Sequence, residues 1–165
     1  MEACEVCGYE WDVITADEVP ARMRAAAEGY REVLTSGDPR LTVRPDPDTW
    51  SAVEVAAHTR DVMFNLRDRI VTGLAEDNPT PWGLYTDDRI AHGLYAAEQP
   101  AQLAVDIHAG AGMFARTIEA MDDQQLDRPI AYPWLRQATR SLLWVAAQAL
   151  HEVEHHLDDV RRRIS

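Results

Sequence analysis

His151 and His155 stand four residues apart in the run His151-Glu152-Val153-Glu154-His155-His156, near the C-terminus of the 165-residue chain. On an α-helix that spacing puts two imidazoles on one face, one turn apart, where both can reach a single metal ion at about 2.0 to 2.1 Å. A third donor must then come from another element. His58 is the candidate, because it falls in line with Val55, Val62, Leu66 and Ile70 on what periodicity marks as the apolar stripe of a helix. His58, His151 and His155 would leave a fourth coordination position for water or substrate, as catalytic metal sites require. Each part alone also has a plainer reading: HxxxH is common at exposed helix ends, and a lone histidine on an apolar face is usually a satisfied core residue.

Around these three the sequence places further polar groups. Asp61, one turn beyond His58, and Glu152, beside His151, are candidate partners for a free imidazole N–H, which would fix the tautomer and raise ligand basicity. Solvated helix-face carboxylates are the alternative. His156 is turned ~100° from His155, too far to share its ion, and is expected beside the site or at an interface. Trp144 and Gln148 share a face with His151 and His155, opposite the aliphatic stripe of Leu142, Ala146, Ala149, Val153 and Leu157. An ordinary surface helix would carry charge there, so a second enclosed face lining a cavity is expected. His92 and His108 fit no pattern.

The two cysteines lie in Cys4-Glu5-Val6-Cys7-Gly8-Tyr9, which resembles half of a zinc knuckle. A full structural zinc site needs four ligands, and no other cysteine exists. Three readings stay open: a half-site completed by a histidine, an acid or a partner subunit; a redox dithiol; or a small turn with no metal role.

These residues need elements to hold them. Four long stretches have helical periodicity, with prolines and turn residues between them, and the expected architecture is all-α, an antiparallel four-helix bundle. Helix one runs from Ala16 to Leu34 after Thr15 and Glu18 as a capping box, and helix two from Ser51, boxed with Glu54, to Leu74. Helix three runs from Pro100 to Met121, weakened by Gly110 and Gly112, and helix four from Arg140 to Arg163. The link from Ala75 to Gln99 is long enough to shape a site or act as a lid, with a short helix near Asp87 to Tyr95. The link from Asp122 to Thr139 is read as irregular. Residues 1–14 form a CxxC-containing extension and 15–165 the bundle.

Composition narrows the function classes. Sixteen basic against 28 acidic residues give a net charge of −12, which repels polyphosphate and anionic lipid, so neither nucleic acid nor a membrane is an expected partner. All the basic residues are arginine, which excludes Schiff-base chemistry on a lysine. The acidic N-terminus lacks a signal peptide's basic and apolar regions, and a cytoplasmic location is expected.

Trp50-Ser51, Glu54 and His58 with Arg60-Asp61-Val62, together with His151-Glu152-xx-His155-His156-Leu157-x-Asp159, resemble the two signatures of the DinB-like (DinB/YfiT) superfamily, in its actinobacterial form. The resemblance spans about Thr15 to Arg163. It implies an up-down-down-up bundle, often a homodimer, whose His58, His151 and His155 bind a divalent metal, commonly zinc or nickel. It also implies kinship with mycothiol-dependent maleylpyruvate isomerase and thiol S-transferases, with mycothiol as cosubstrate and a small-molecule substrate. Trp82, Tyr85, Trp134, Arg140, Trp144 and Gln148 are then candidate pocket residues, with Arg60 or Arg140 holding an acidic cosubstrate. A thiol-independent hydrolase, isomerase or cyclase and a non-catalytic metal-binding stress-response module are the alternatives.

Overall fold

In the computed structural model, which describes residues 3–133 and 138–165, six helices follow in chain order: α1 (Glu18–Leu34), α2 (Ala52–Ala75), α3 (Thr86–Ala91), α4 (Pro100–Glu119), α5 (Asp123–Leu126) and α6 (Leu142–Arg163). Two short strands, β1 (Pro129–Tyr132) and β2 (Ala138–Ser141), precede α6. The starts of the long helices follow from local chemistry. Ser51 Oγ accepts the Glu54 N–H at 3.2 Å while Glu54 accepts the Ser51 N–H at 2.9 Å, the reciprocal capping box. Arg44 adds two bonds to the same carboxylate, at 2.8 and 2.5 Å. Ser141 caps α6 by accepting the Trp144 N–H at 3.1 Å, and three arginines close its last turn, where a helix end favours cations.

At α1 the expected box is only half made. The helix begins at Glu18, with Asp17 at the N-cap and no side-chain cap bond. Thr15 turns toward Glu18 instead, its N–H and hydroxyl both donating to Oε2 at 3.0 and 2.8 Å.

Interhelical contacts fix the directions. α1 and α4 are antiparallel, since Arg24 meets Glu119 while Glu28 meets His108. α2 and α4 are parallel, because Arg60 pairs with Asp106 and Arg67 with Thr117. α2 and α6 are antiparallel, with Trp50 against Arg163, His58 against His156 and Gly73 against Leu142. The four long helices therefore run up, down, down and up, with α1 diagonal to α2 and α4 diagonal to α6. Their shared core includes Met23, Tyr30, Met63, Ile70, Phe114 and Leu150. Buried Tyr30 donates its hydroxyl to the Val153 carbonyl at 3.0 Å, joining α1 to α6.

The link before α6 corrects the irregular reading. It contains α5, boxed by Asp122 and Gln125, and an antiparallel hairpin pairing Pro129 with Ser141 and Tyr132 with Ala138. Ile130 and Tyr132 point inward at alternate positions, the period-2 pattern of a strand. Arg128 ties this hairpin to the end of α2 by donating to the Gly73 carbonyl at 2.8 Å. Among the described residues no helix is long and apolar enough to cross a membrane.

Candidate metal centre

Successive residues of α6 turn by ~100°, so His151 and His155 share one face while Glu152 and His156 share the next. It is the second face that meets α2. The His58 and His156 rings lie 5.2 Å apart between centroids. One donor atom each from His58, Glu152 and His156 lies within 4.8 Å of the other two. The first face meets the N-terminal segment instead, and Cys4, Cys7, His151 and His155 satisfy the same 4.8 Å limit among themselves. The expected set of His58, His151 and His155 is thus divided between two clusters, and His156 takes the place beside His58 that had been expected for its neighbour.

In the α2–α6 cluster Glu152 and His156 are held by polar partners. His156 Nδ1 lies 2.9 Å from Asp159 Oδ2, and its Nε2 lies 3.1 Å from Glu152 Oε2. The other Glu152 oxygen accepts from Gln148 Nε2 at 2.6 Å, and Gln148 Oε1 accepts the indole N–H of Trp11 at 2.6 Å. His58 lies beside Trp50 and Tyr95, with ring centroids 5.5 and 6.2 Å away. Its Nδ1 is buried with no hydrogen-bond partner.

The electrostatics follow from this arrangement. Burial, aided by the positive His156, pushes His58 down to about 4, so it is neutral at pH 7 with a lone pair available. Burial works against a charge on His156 as well, but Asp159 and Glu152 outweigh it and lift that ring to about 9. Glu152 is half-buried, which opposes its charge, yet the hydrogen bond and charge of His156 hold it below the ordinary carboxylate value. Asp159 is held well below the ordinary range, first by its bond from His156. Two carboxylates outnumber the one cationic ring, and with the unused nitrogen of a neutral imidazole they make a seat for a cation.

The cluster opens onto a cavity of about 520 Å³ between α2, α6 and the segment around α3, lined among others by His58, Arg69, Tyr85, Asp88, Tyr132 and Glu152. Of the expected pocket residues, Tyr85 and Gln148 line it. Trp82 does not: its side chain is largely in solvent, and only its carbonyl is engaged, by Arg69 at 3.1 Å. Arg140 stacks over Trp144 at 4.5 Å, and Trp144 is a packing residue between Trp11 and Tyr132. Trp134 lies outside the described residues. Asp61 is engaged by Arg60 at 2.8 Å and by Arg89, which leaves the unpartnered His58 nitrogen without it. Arg60, bound to Asp61 and to Glu98 at 2.6 Å, is likewise occupied within the fold.

The sequence reading carried Asp159 only as part of the last-helix signature and gave it no role, although its place three residues after His156 is the helical spacing for such a bond. It gave Tyr9 no role either, and it did not single out Trp11. The enclosed face of Trp144, Gln148 and His151 exists, and Trp11 covers it: its ring stacks on Trp144 at 6.2 Å and meets His151 at 4.9 Å.

The model of the DinB superfamily matches residues 16–160, and the chain belongs to that superfamily. Among solved structures it is similar to YfiT from Bacillus subtilis, described as a probable metal-dependent hydrolase with an unusual four-helix bundle topology. The match has a TM-score of 0.82 at 15% identity and covers 92% of this chain and 89% of that one, a likeness of fold. No curated protein sequence matches the chain.

Proposed function

We propose that the protein is a metal-dependent hydrolase of a small molecule, with His58, Glu152 and His156 as its metal ligands. The observation that carries this reading is the cluster itself: a half-buried neutral imidazole, its Nδ1 buried and unpartnered, beside a carboxylate and a second imidazole at the wall of a cavity. The residues fit a divalent cation that displaces a proton from His156: two imidazoles and a carboxylate then suit zinc or nickel and leave a coordination position for water or substrate. When bound there, the ion supplies Lewis acidity toward a carbonyl or phosphoryl oxygen and acidifies water near neutral pH.

The rest falls to the chain. Asp159 fixes the ring orientation of His156 through Nδ1, and Gln148 fixes Glu152. Asp87, Asp88 and Glu152 give the cavity an acidic lining, which favours a neutral or cationic substrate over an anionic one. The hydrolytic reading is preferred to thiol transfer because a His2Glu donor set is one that hydrolytic zinc sites use.

The test is a panel of small esters, amides and phosphoesters assayed on protein of measured metal content, with and without mycothiol. Hydrolysis without thiol, abolished in Glu152→Ala, is the expected result. Turnover that appears only when the thiol is added would establish transfer in its place.

A further inference from the structure

We propose that Cys4, Cys7, His151 and His155 form a second metal site, closed and of the structural zinc type, that fastens the N-terminal segment to α6. It uses none of the residues of the His58 centre and stands independently of the hydrolytic reading.

Donor type and spacing are the first support. The four residues give Cys-x2-Cys and His-x3-His, the spacings of Cys2His2 zinc sites, and one donor atom from each lies within 4.8 Å of the rest. A zinc tetrahedron with bonds of about 2.3 Å to sulfur and about 2.0 to 2.1 Å to nitrogen has edges of roughly 3.3 to 3.8 Å, so a contraction of at most about 1 to 1.5 Å completes it. Two thiolates and two neutral imidazoles also balance a doubly charged ion. A site with no net charge suits walls made by the Tyr9 and Trp11 rings, 5.1 and 4.9 Å from His151.

A second support comes from His151 itself. It is only 9% exposed, and both of its ring nitrogens are buried with no hydrogen-bond partner. A buried polar group without a partner is costly, and coordination would satisfy one of these nitrogens. The turn that carries the cysteines is preorganised as well. Gly8 adopts φ +73°, its N–H donates to the Cys4 carbonyl at 2.8 Å, and Cys4 N–H donates to the Tyr9 carbonyl at 2.8 Å. A dithiol serving redox chemistry alone would have no use for two imidazoles at this distance.

Four protein donors leave no open position, so the site serves architecture. Its position links the two centres. The same segment sends the Tyr9 hydroxyl to the Ala147 carbonyl at 2.8 Å and Trp11 to Gln148, which in turn holds Glu152.

Metal counting and cobalt substitution test the proposal on the full chain. Wild type should bind two equivalents, and the Cys4→Ser/Cys7→Ser and His58→Ala variants one each. Thiolate-to-cobalt charge-transfer absorption should be present in wild type and in His58→Ala and absent from the double-serine variant. Cys7 is exposed and Cys4 only partly buried at the edge of the core, so the near-isosteric serines keep the bundle; on wild type, a thiol-specific mercurial should release one equivalent. Should the His58 centre bind nothing, one equivalent would still be lost with the cysteines and not with His58. Unchanged metal content in the double variant, or a Cys4–Cys7 disulfide in the purified protein, would overturn the proposal.

Discussion

A rotation of ~100° separates His155 from His156 and determines which element each one meets. Periodicity showed that α6 has a Trp-Gln-His-His face apart from its aliphatic stripe, and that His58 points inward on α2. It did not show which face of α6 packs on α2, because amphipathicity orders the faces of one helix and leaves the rotation of that helix against its neighbours to tertiary contacts. The Cys-x2-Cys and His-x3-His spacings were both visible, near opposite ends of the chain, and only folding joins them. Asp159 makes the prediction at this scale. It orients His156 and does not line the cavity, so it is a positioning residue. Asp159→Ala should weaken metal binding at the His58 centre by about 10- to 100-fold, the usual effect of removing a ligand's hydrogen-bond partner. Competition titration with a chromogenic chelator measures this, done in the Cys4→Ser/Cys7→Ser background because Asp159 Oδ2 also lies 3.7 Å from His155 Nε2. Equal affinity with and without Asp159 would confine it to its ion pairs with Arg162 and His155.

Among the elements, the long helices were legible because each combines apolar periodicity with a capping or proline signal, and observed ends lie within about two residues of those expected. The β1–β2 hairpin was not legible: two four-residue strands are too short for a period to register, and Pro129 and Pro133 read as loop. The α2 start carries a prediction with a pH dependence. Burial opposes ionisation of Glu54, but Arg44 and the Ser51 cap outweigh it, so the folded-state value lies below the ordinary one. A depressed carboxylate contributes stability that is complete above the unfolded value of about 4.3 and is lost as pH falls through the lower folded value. Glu54→Gln should therefore cost about 1 to 3 kcal/mol at neutral pH. The gap between the urea midpoints of variant and wild type should narrow at pH values below the ordinary carboxylate range. A gap independent of pH would mean that shape, not charge, is what Glu54 contributes.

For the molecule as a whole, assembly depends on how closely the four long helices approach, and two glycines give opposite answers. Gly73 lies where α2 meets the first turn of α6. A Cβ built there falls 2.5 Å from Leu142 Cδ2 and 3.4 Å from both Cδ1 and Cγ. Leu142 is fully buried, so it cannot swing into solvent. Gly112 on α4 is different: a Cβ there meets only Arg116 Nη1, at 3.3 Å, on an exposed side chain that can move. Replacing a helical glycine by alanine gains about 0.5 to 1 kcal/mol when space allows, whereas overpacking costs about 1 to 3 kcal/mol. Gly112→Ala should therefore stabilise the protein by up to about 1 kcal/mol, and Gly73→Ala should destabilise it by about 1 to 2 kcal/mol. For a domain of this size each kcal/mol moves the melting temperature by about 2 to 4 °C, so thermal melts should shift in opposite directions. Equal upward shifts would show that α2 and α6 can separate to admit a methyl group, and that close approach at Gly73 does not hold the bundle together.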